Sequence, residues 1–288
     1  MSETLTHRAP PGARALCLAL TGVWFVALLA GLFYPGIGSQ AYYVQLLSLS
    51  LFGLVHGSER YGLPAMLAFL AIMFVVVNLT ENLSIATGLP FGNFEHTPAM
   101  GPKLFYVPVI VGFAYFSAGY LGWALANLLL GEPDRDRGAL ALFATPVVAM
   151  FITTAWDACI DPIGGTVARN WIWKDGGGYF GVPLSNFIGW MITTYIAFQL
   201  FALLPARRPG MVRTGQDRLW WALPAIQLGV MGLQYPLNLV LLPDAEVTDP
   251  SGTTWRTGDI FEGTTVVSLF TLIFIAVTSL FVAARRDP

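Results

Sequence analysis

Three acidic residues at the ends of two long apolar segments are the residues of this chain best suited to chemistry. Asp157 and Asp161 stand four residues apart in the segment WDACIDPIGG, so a helix that continues to Asp161 places both carboxylates on one face. Glu81 ends an earlier apolar segment in a similar position. Carboxyl groups at the end of a membrane helix are usually paired, hydrated or functional, because they are costly there. The pattern therefore predicts a polar site in which carboxyl groups act as general acid and base.

Each acid also has a structural interpretation. Acids at helix ends can lie in interfacial water, and Asp161 could belong to a turn that Pro162 fixes. We favour the functional interpretation for Asp157 and Glu81. For Asp161, and for Glu262 at the start of the last apolar segment, both interpretations stay open.

Aromatic and amide side chains accompany the acids. Such rings commonly form the aromatic belt at a membrane surface. They could instead form a slot for a long conjugated or polyprenyl chain, and their faces could stabilise a carbocation. Asn82 and Asn186 could orient a water molecule, or could serve as helix caps or interhelical hydrogen bonds. The aromatic residues around the fifth and sixth apolar segments, and in the loop after the third, are Phe91, Trp156, Trp171, Trp173, Tyr179, Phe180 and Trp190.

The elements that must position these residues are membrane helices. The chain of 288 residues is 55% hydrophobic and 11% charged, whereas soluble domains are about 25% charged. About twenty apolar residues span a bilayer, and eight segments approach that length. They are Ala15–Tyr34, Tyr42–Val55, Leu63–Leu79, Leu104–Leu130, Ala139–Ala158, Val182–Leu204, Leu219–Leu242 and Thr264–Ala283. The sequence predicts an all-α polytopic transmembrane bundle of about eight helices; seven is possible, since the second segment is short and contains serines.

The distribution of basic residues predicts the orientation. With eight spans and an inner N-terminus, 11 of the 15 lysine and arginine residues fall on the inner side, among them Arg8, Arg137 and Arg208. We therefore expect a cytoplasmic tail at 1–14, one transmembrane domain at 15–284 and a second cytoplasmic tail at 285–288. The first apolar segment is interpreted as a retained helix rather than a cleaved signal. The expected location is the plasma or inner membrane of a prokaryote.

The remaining composition argues against several classes of function. The three histidines, His7 in the tail, His56 in an inner loop and His96 in an outer loop, are too few for a membrane di-iron enzyme. His96 with Glu95 and Glu81 could bind one metal ion, but we favour a solvated loop histidine.

The sequence also lacks residue patterns that are typical of other classes of protein. Lys103 and Lys174 both fall in loops, which excludes a Schiff-base pigment. Two cysteines within helices indicate neither a disulfide framework nor a zinc site. A phosphate-binding loop and a basic stripe for nucleic acid are both missing from the sequence. No cofactor, metal or nucleic acid is predicted.

Four segments carry a resemblance to a known family. TGLPFGNF, GPKLFYVPVIVGFAYFSAGY, AWDACIDP and NWIWKDGGGYFGVPLSNFIGW together resemble the carotenoid biosynthesis membrane proteins, which include carotenoid 1,2-hydratases and haloarchaeal bisanhydrobacterioruberin hydratases. The resemblance covers roughly Glu81 to Trp190, with weaker support around Phe261–Gly263. One departure is the run Asn93–Thr97, where the family often has an aromatic-x-aromatic-Thr pattern. Because this loop could line the mouth of the pocket, the resemblance does not fix the identity of the substrate.

The resemblance implies cofactor-free addition of water to the terminal double bond of an acyclic carotenoid, which gives a tertiary alcohol. It carries over Glu81, Asp157 and Asp161 as acidic positions, with Asn186 and the pair Trp171 and Trp173 nearby. The chain contains the types of residue that this hydration reaction requires. Protonation of a trisubstituted alkene needs an acid in an apolar pocket, aromatic faces near the cation and a polar group that holds water.

These observations predict a membrane hydratase for an acyclic carotenoid or related isoprenoid. Asp157 would donate the proton, Asp161 or Glu81 would position or deprotonate water, and Asn186 would help hold it. The aromatic residues, with Trp156 foremost, would line the substrate slot. The expected partners are a long isoprenoid, the bilayer and other enzymes of carotenoid synthesis. The alternatives are a transporter or lipid-binding protein without catalysis, a structural partner in a pigment-synthesis complex, and a metal hydroxylase built on His96, Glu95 and Glu81.

Overall fold

The apolar segments fold as helices, since a helix satisfies its own backbone hydrogen bonds where water is absent. The computed structural model describes residues 11–135, 138–207 and 210–286. Within them the helices group into eight segments, because α7 and α8 are two parts of one segment and α9 and α10 are two parts of another. The helices are α1 (Pro11–Phe33), α2 (Gly38–Tyr61), α3 (Leu63–Thr87), α4 (Val109–Leu129), α5 (Thr145–Asp161), α6 (Leu184–Arg207), α7 (Arg218–Gly232), α8 (Gln234–Leu241), α9 (Thr257–Ser268) and α10 (Phe274–Ala284).

Six of these segments are long and apolar enough to cross a membrane. The other two are α2, which carries several serines and ends in charged residues, and the broken pair α7–α8. The chain is therefore a helical membrane bundle, while eight crossings and cytoplasmic termini stay a prediction. Of the basic residues used for the orientation, Arg8, Arg137 and Arg208 lie outside the described residues. So do residues 1–10 of the predicted N-terminal tail, including His7, and residues 287–288 of the C-terminal tail.

Several helix bounds differ from the predicted ones for local reasons. Leu104 does not begin a helix, because β2 (Lys103–Leu104) forms a hairpin with β3 (Val107–Pro108). The last segment begins at Thr257 rather than Thr264, since the helix includes a polar first turn that hydropathy does not detect. The seventh segment breaks at Leu233. Pro236 follows in the first turn of α8, where its missing amide hydrogen is tolerated.

Helix α4 lies at the centre of the bundle, and nearly all its residues between Val111 and Leu128 are buried. Small residues allow neighbouring helices to approach it closely. A Cβ atom at Gly122 would lie 2.8 Å from the carbonyl oxygen of Ala149 on α5. Because α3 and α5 both pack against α4, their C-terminal ends are held close together.

Two long loops at one end of the bundle pair with each other. After α3, β1 (Phe94–His96) runs antiparallel to β4 (Trp171–Trp173), which follows α5. We call this pair the ribbon. A separate hairpin, β5 (Glu246–Thr248) with β6 (Thr254–Arg256), lies in the connection between α8 and α9.

The opposite end of the bundle is closed by a buried ionic cluster. Arg60, at the end of α2, donates to both carboxylate oxygens of Asp134 at 2.9 and 2.6 Å and to Glu132 at 3.0 Å. Burial by itself raises the pKa of Glu132, but the positive charges of Arg60 and Arg286 lower it by more. The net shift of the pKa is therefore downward. The prediction that His56 lies in a loop is wrong: α2 continues past it, and its ring is buried.

Candidate active site

The ends of α3, α5 and α6 that lie next to the ribbon bring the predicted acids together. Glu81 is near the end of α3, and Asp157 and Asp161 are one turn apart at the end of α5. All three side chains are buried, with exposed fractions of 5%, 2% and 2%. Asn186, in the first turn of α6, faces the two aspartates. The four residues surround one cavity.

Asn186 links the two aspartates directly. Its amide nitrogen donates to Oδ2 of Asp157 at 2.9 Å and to Oδ2 of Asp161 at 2.6 Å. An amide NH₂ group carries two hydrogens, so one group can serve both acceptors. If the amide group of Asn186 were flipped, its oxygen, which can only accept hydrogen bonds, would face the oxygens of both carboxyl groups. We call these three residues the acid pair and its bridging amide.

Trp171 gives Asp161 a second donor. Its indole nitrogen donates to Oδ1 of Asp161, so both oxygens of this carboxylate accept hydrogen bonds. The ring lies against the π-helical turn Pro162–Val167 that follows α5. A Cβ atom at Gly164 would overlap the Trp171 ring, and one at Gly165 would lie 2.9 Å from its nitrogen. The two glycines therefore make room for the tryptophan.

His96 pairs with Glu81 under the ribbon. The Nε2–H of His96 donates to Oε2 of Glu81 at 2.8 Å, and both side chains are buried. The other ring nitrogen, Nδ1, is buried without a hydrogen-bond partner among the described residues. The interpretation of His96 as a solvated loop histidine is wrong, because strand β1 turns its ring inward opposite Trp171.

The strand also separates the suggested metal ligands. Side chains alternate along a strand, so Glu95 faces outward and pairs with Lys174 at 3.0 Å while His96 faces inward. Glu95 therefore does not join Glu81 and His96. Among the residues that the structure describes, no group of three or more histidine, cysteine, aspartate or glutamate side chains is arranged to hold a metal ion.

The cavity between these groups has a volume of about 60 Å³, enough for several water molecules or the branched end of a hydrocarbon. Apart from the polar groups already described, its walls are aromatic or apolar. Tyr115 stacks on Trp190 with ring centroids 3.7 Å apart, and Trp156 meets Trp190 edge-on at 6.0 Å. The lining residues besides the acids, His96 and Asn186 are Tyr42, Phe91, Phe94, Met100, Val111, Ala114, Tyr115, Trp156, Ile160, Trp171, Trp173 and Trp190.

Four other residues considered in the sequence do not line the cavity. Tyr179 donates from its hydroxyl to the Ala158 carbonyl at 3.0 Å, and burial raises the pKa of this phenol, which keeps it a donor. Phe180 packs edge-on against Trp255 at 5.7 Å. Glu262 is exposed on α9, so it does not converge with the other acids. Asn82 accepts from the Tyr106 amide at 2.9 Å and has a structural role.

Comparison with known proteins gives the family. The family model described as carotenoid biosynthesis protein matches residues 40–243. The chain belongs to the carotenoid biosynthesis protein family. Over 122 residues it is 29% identical to bisanhydrobacterioruberin hydratase of Haloarcula japonica. The matched stretch covers 42% of this chain but only 39% of that relative's length. No solved structure matches the chain.

The expected resemblance is thus confirmed, and the description of the family places the chain in carotenoid biosynthesis. Every cavity-lining side chain falls within the matched region 40–243. Sequence reasoning missed Tyr42, Tyr115 and Ile160. For Tyr115 a signal existed, since it is one of the few polar side chains in the mainly apolar helix α4. For Tyr42 and Ile160 none did, because only helix packing brings them to the cavity.

Proposed function

We propose that this member of the carotenoid biosynthesis protein family is a membrane-embedded hydratase. It adds water to the terminal double bond of an acyclic carotenoid or related isoprenoid. The observation that carries the proposal is a buried acid pair with its bridging amide in a cavity otherwise lined largely by aromatic and apolar side chains. The similarity to a protein named as a hydratase supports the same reaction class.

Asp157 is the proton donor in this mechanism. Two adjacent negative charges in an apolar site are costly, so the acid pair retains one proton. Asp161 accepts hydrogen bonds at both oxygens, from Asn186 and Trp171, which favours its ionised form. Among the side chains that the structure describes, Asp157 accepts a hydrogen bond only at Oδ2. Its Oδ1 is free to carry the proton.

Proton transfer forms a C–H bond at the less substituted carbon and leaves a tertiary cation on its neighbour. The faces of Trp156, Trp171 and Trp173 are suited to stabilise that cation. The newly formed Asp157 carboxylate, close to the cation, adds an electrostatic contribution that is strong in a site with little water. The aromatic wall therefore has a chemical role as well as a packing one.

The pair of Glu81 and His96 activates the water. Glu81 accepts the Nε2–H of His96, which leaves a lone pair on Nδ1 of the neutral ring. As the oxygen of water bonds to the tertiary cation, Nδ1 takes the proton that water loses. Return of that proton to Asp157 through cavity water restores the enzyme. The reaction consumes only the alkene and water.

The test is the mass of pigments from a host that accumulates acyclic carotenoids. Cells with the wild-type chain should gain one water per reacting end group. Asp157→Asn should lower product formation by about 10²- to 10⁴-fold, the usual contribution of a positioned acid. The matched control is Asp259→Asn, an exposed aspartate on α9, which should behave as wild type.

Two results would count against the proposal. If Asp157→Asn formed as much hydrated pigment as the wild type, Asp157 would not be the proton donor. Unchanged pigments in cells that contain well-inserted wild-type protein would refute hydration of these carotenoids. That outcome would favour transport or binding without chemistry.

A further inference from the structure

The acid cavity is too small for a whole carotenoid. Its volume of about 60 Å³ accommodates one end of such a molecule, so the rest of the chain must lie elsewhere. Among the spaces that share lining residues with it, two share both Tyr42 and Ile160. One is a chamber of about 40 Å³ between Trp24, Leu49 and Met231, deeper among the helices. The other is a groove of about 470 Å³ between the α1–α2 hairpin and the ends of α5 and α8.

Tyr42 and Ile160 connect the three spaces. Both side chains line the acid cavity, the chamber and the groove. Tyr42 lies near the start of α2, and Ile160 lies on α5 immediately before Asp161. Met100 and Trp171 also line both the acid cavity and the groove, so a ligand that extends from the groove to the acids contacts these side chains as well.

Small residues create the groove. Ala27, Gly31, Gly38, Ala41, Gly164 and Ala168 all line it. At Gly31, an added Cβ would lie 3.1 Å from the Cβ of Ala41, so the two arms of the α1–α2 hairpin are already in close contact there. Larger side chains at these positions would fill the space, so the groove depends on their small size.

The polar side chains that line the groove are uncharged, and two of them, Gln45 and Gln234, also line the deeper chamber. Ser39 and Asn170 line the groove beside the ribbon, and Gln234 and Asn238 line it from α8. Leu28 and Ile163 supply apolar wall. A groove with mainly apolar walls and a few uncharged polar groups suits a long uncharged hydrocarbon chain.

We propose that this groove binds the linear hydrocarbon part of the isoprenoid substrate, whose reacting end passes between Tyr42 and Ile160 to the acid pair. This inference rests on the proposed function for the identity of the reacting end. Binding in the groove itself needs no hydration, so the two proposals can be tested separately.

The experiment compares bulky substitutions at two exposed alanines. Ala168→Trp places an indole in the groove, whereas Ala86→Trp places one on an exposed part of α3 that lines none of the three spaces. Each is made in the Asp157→Asn chain, and binding of an acyclic polyene is titrated by quenching of tryptophan fluorescence. In the wild-type background, hydration of that polyene and of a short alkene with the same end group is measured as well.

We expect Ala168→Trp to weaken polyene binding at least about tenfold, which corresponds to about 1.4 kcal/mol, and to slow hydration of the polyene more than hydration of the short alkene. Ala86→Trp should alter neither quantity. If Ala168→Trp left polyene binding unchanged, or if both variants weakened it equally, the proposal that the groove binds the hydrocarbon would be refuted. Selective loss of binding would support it even if no substrate were hydrated, and only the hydratase proposal would then fail.

Discussion

The bridging amide offers the sharpest test of how the acid pair works. Asn186→Leu keeps a similar side-chain volume and removes both donors, at 2.9 and 2.6 Å from the aspartates. A hydrogen bond to a charged group contributes about 1.5–3 kcal/mol. Both acceptors are charged once Asp157 has given up its proton, so the two bonds then contribute about 3–6 kcal/mol. If they act mainly on the transition state, the rate should fall about 10²- to 10⁴-fold, since about 1.36 kcal/mol corresponds to tenfold.

The assay is the initial rate of hydrated carotenoid formation per amount of inserted protein. Asn127→Leu is the matched control, because Asn127 is also buried in a helix but donates to the Trp123 carbonyl at 3.0 Å, outside the cavity. This control should retain the wild-type rate. A wild-type rate in Asn186→Leu would refute the argument that the bridging amide stabilises the transition state.

Three further predictions concern other parts of the molecule. Gly164→Ala should lower activity about tenfold with the protein still folded, because the added Cβ displaces Trp171 from Asp161 and one hydrogen bond is worth about 1.5 kcal/mol. Asp134→Asn should lower the free energy of unfolding by about 3–5 kcal/mol, measured in detergent, because it leaves the Arg60 charge buried without its closest partner. Thermal stability should fall as the pH drops below about 4.5, and less steeply in Glu132→Gln: the lowered pKa of Glu132 adds stability above its unfolded value of 4.5 and loses it as pH falls through the folded value.

Each of these predictions has a control and a contradicting result. Gly178 has no atom within 4 Å of an added Cβ, so Gly178→Ala should be neutral, and equal losses at both glycines would contradict the Trp171 argument. For the ionic cluster, Asp259→Asn is the exposed comparison, and equal stability of the two variants would show that Arg60 does not depend on Asp134. Identical acid sensitivity of wild type and Glu132→Gln would show that Glu132 does not contribute.

The sequence was sufficient for the features that depend on local spacing. The apolar segments predicted the helices, and the four-residue interval predicted that Asp157 and Asp161 share a helix face. The sequence did not reveal which distant segments pair with each other. His96 looked solvated because only the pairing of two distant loops buries it. Tyr179 and Phe180 looked like wall residues because they are near the site in sequence, yet their contacts are with the Ala158 carbonyl and with Trp255.

Helix ends were also difficult to predict, for a physical reason. Hydropathy measures apolar length, whereas a helix continues as long as its backbone hydrogen bonds are made. Thus α9 begins with the polar run from Thr257, and α2 continues past His56 to Tyr61. The residues that close the two ends of the bundle are therefore the ones that composition alone assigns to loops.

The register of the ribbon limits which changes of length this chain can accept. His96 and Trp171 face each other across the ribbon, and each holds an acid from a different helix. A one-residue insertion in either strand would turn its side chains to the other face, so one acid would lose its partner and the cross-strand match would be lost as well. We therefore expect this chain to tolerate insertions only outside the strands or in compensating pairs. Adaptation to new substrates is expected instead at positions that change size without changing length.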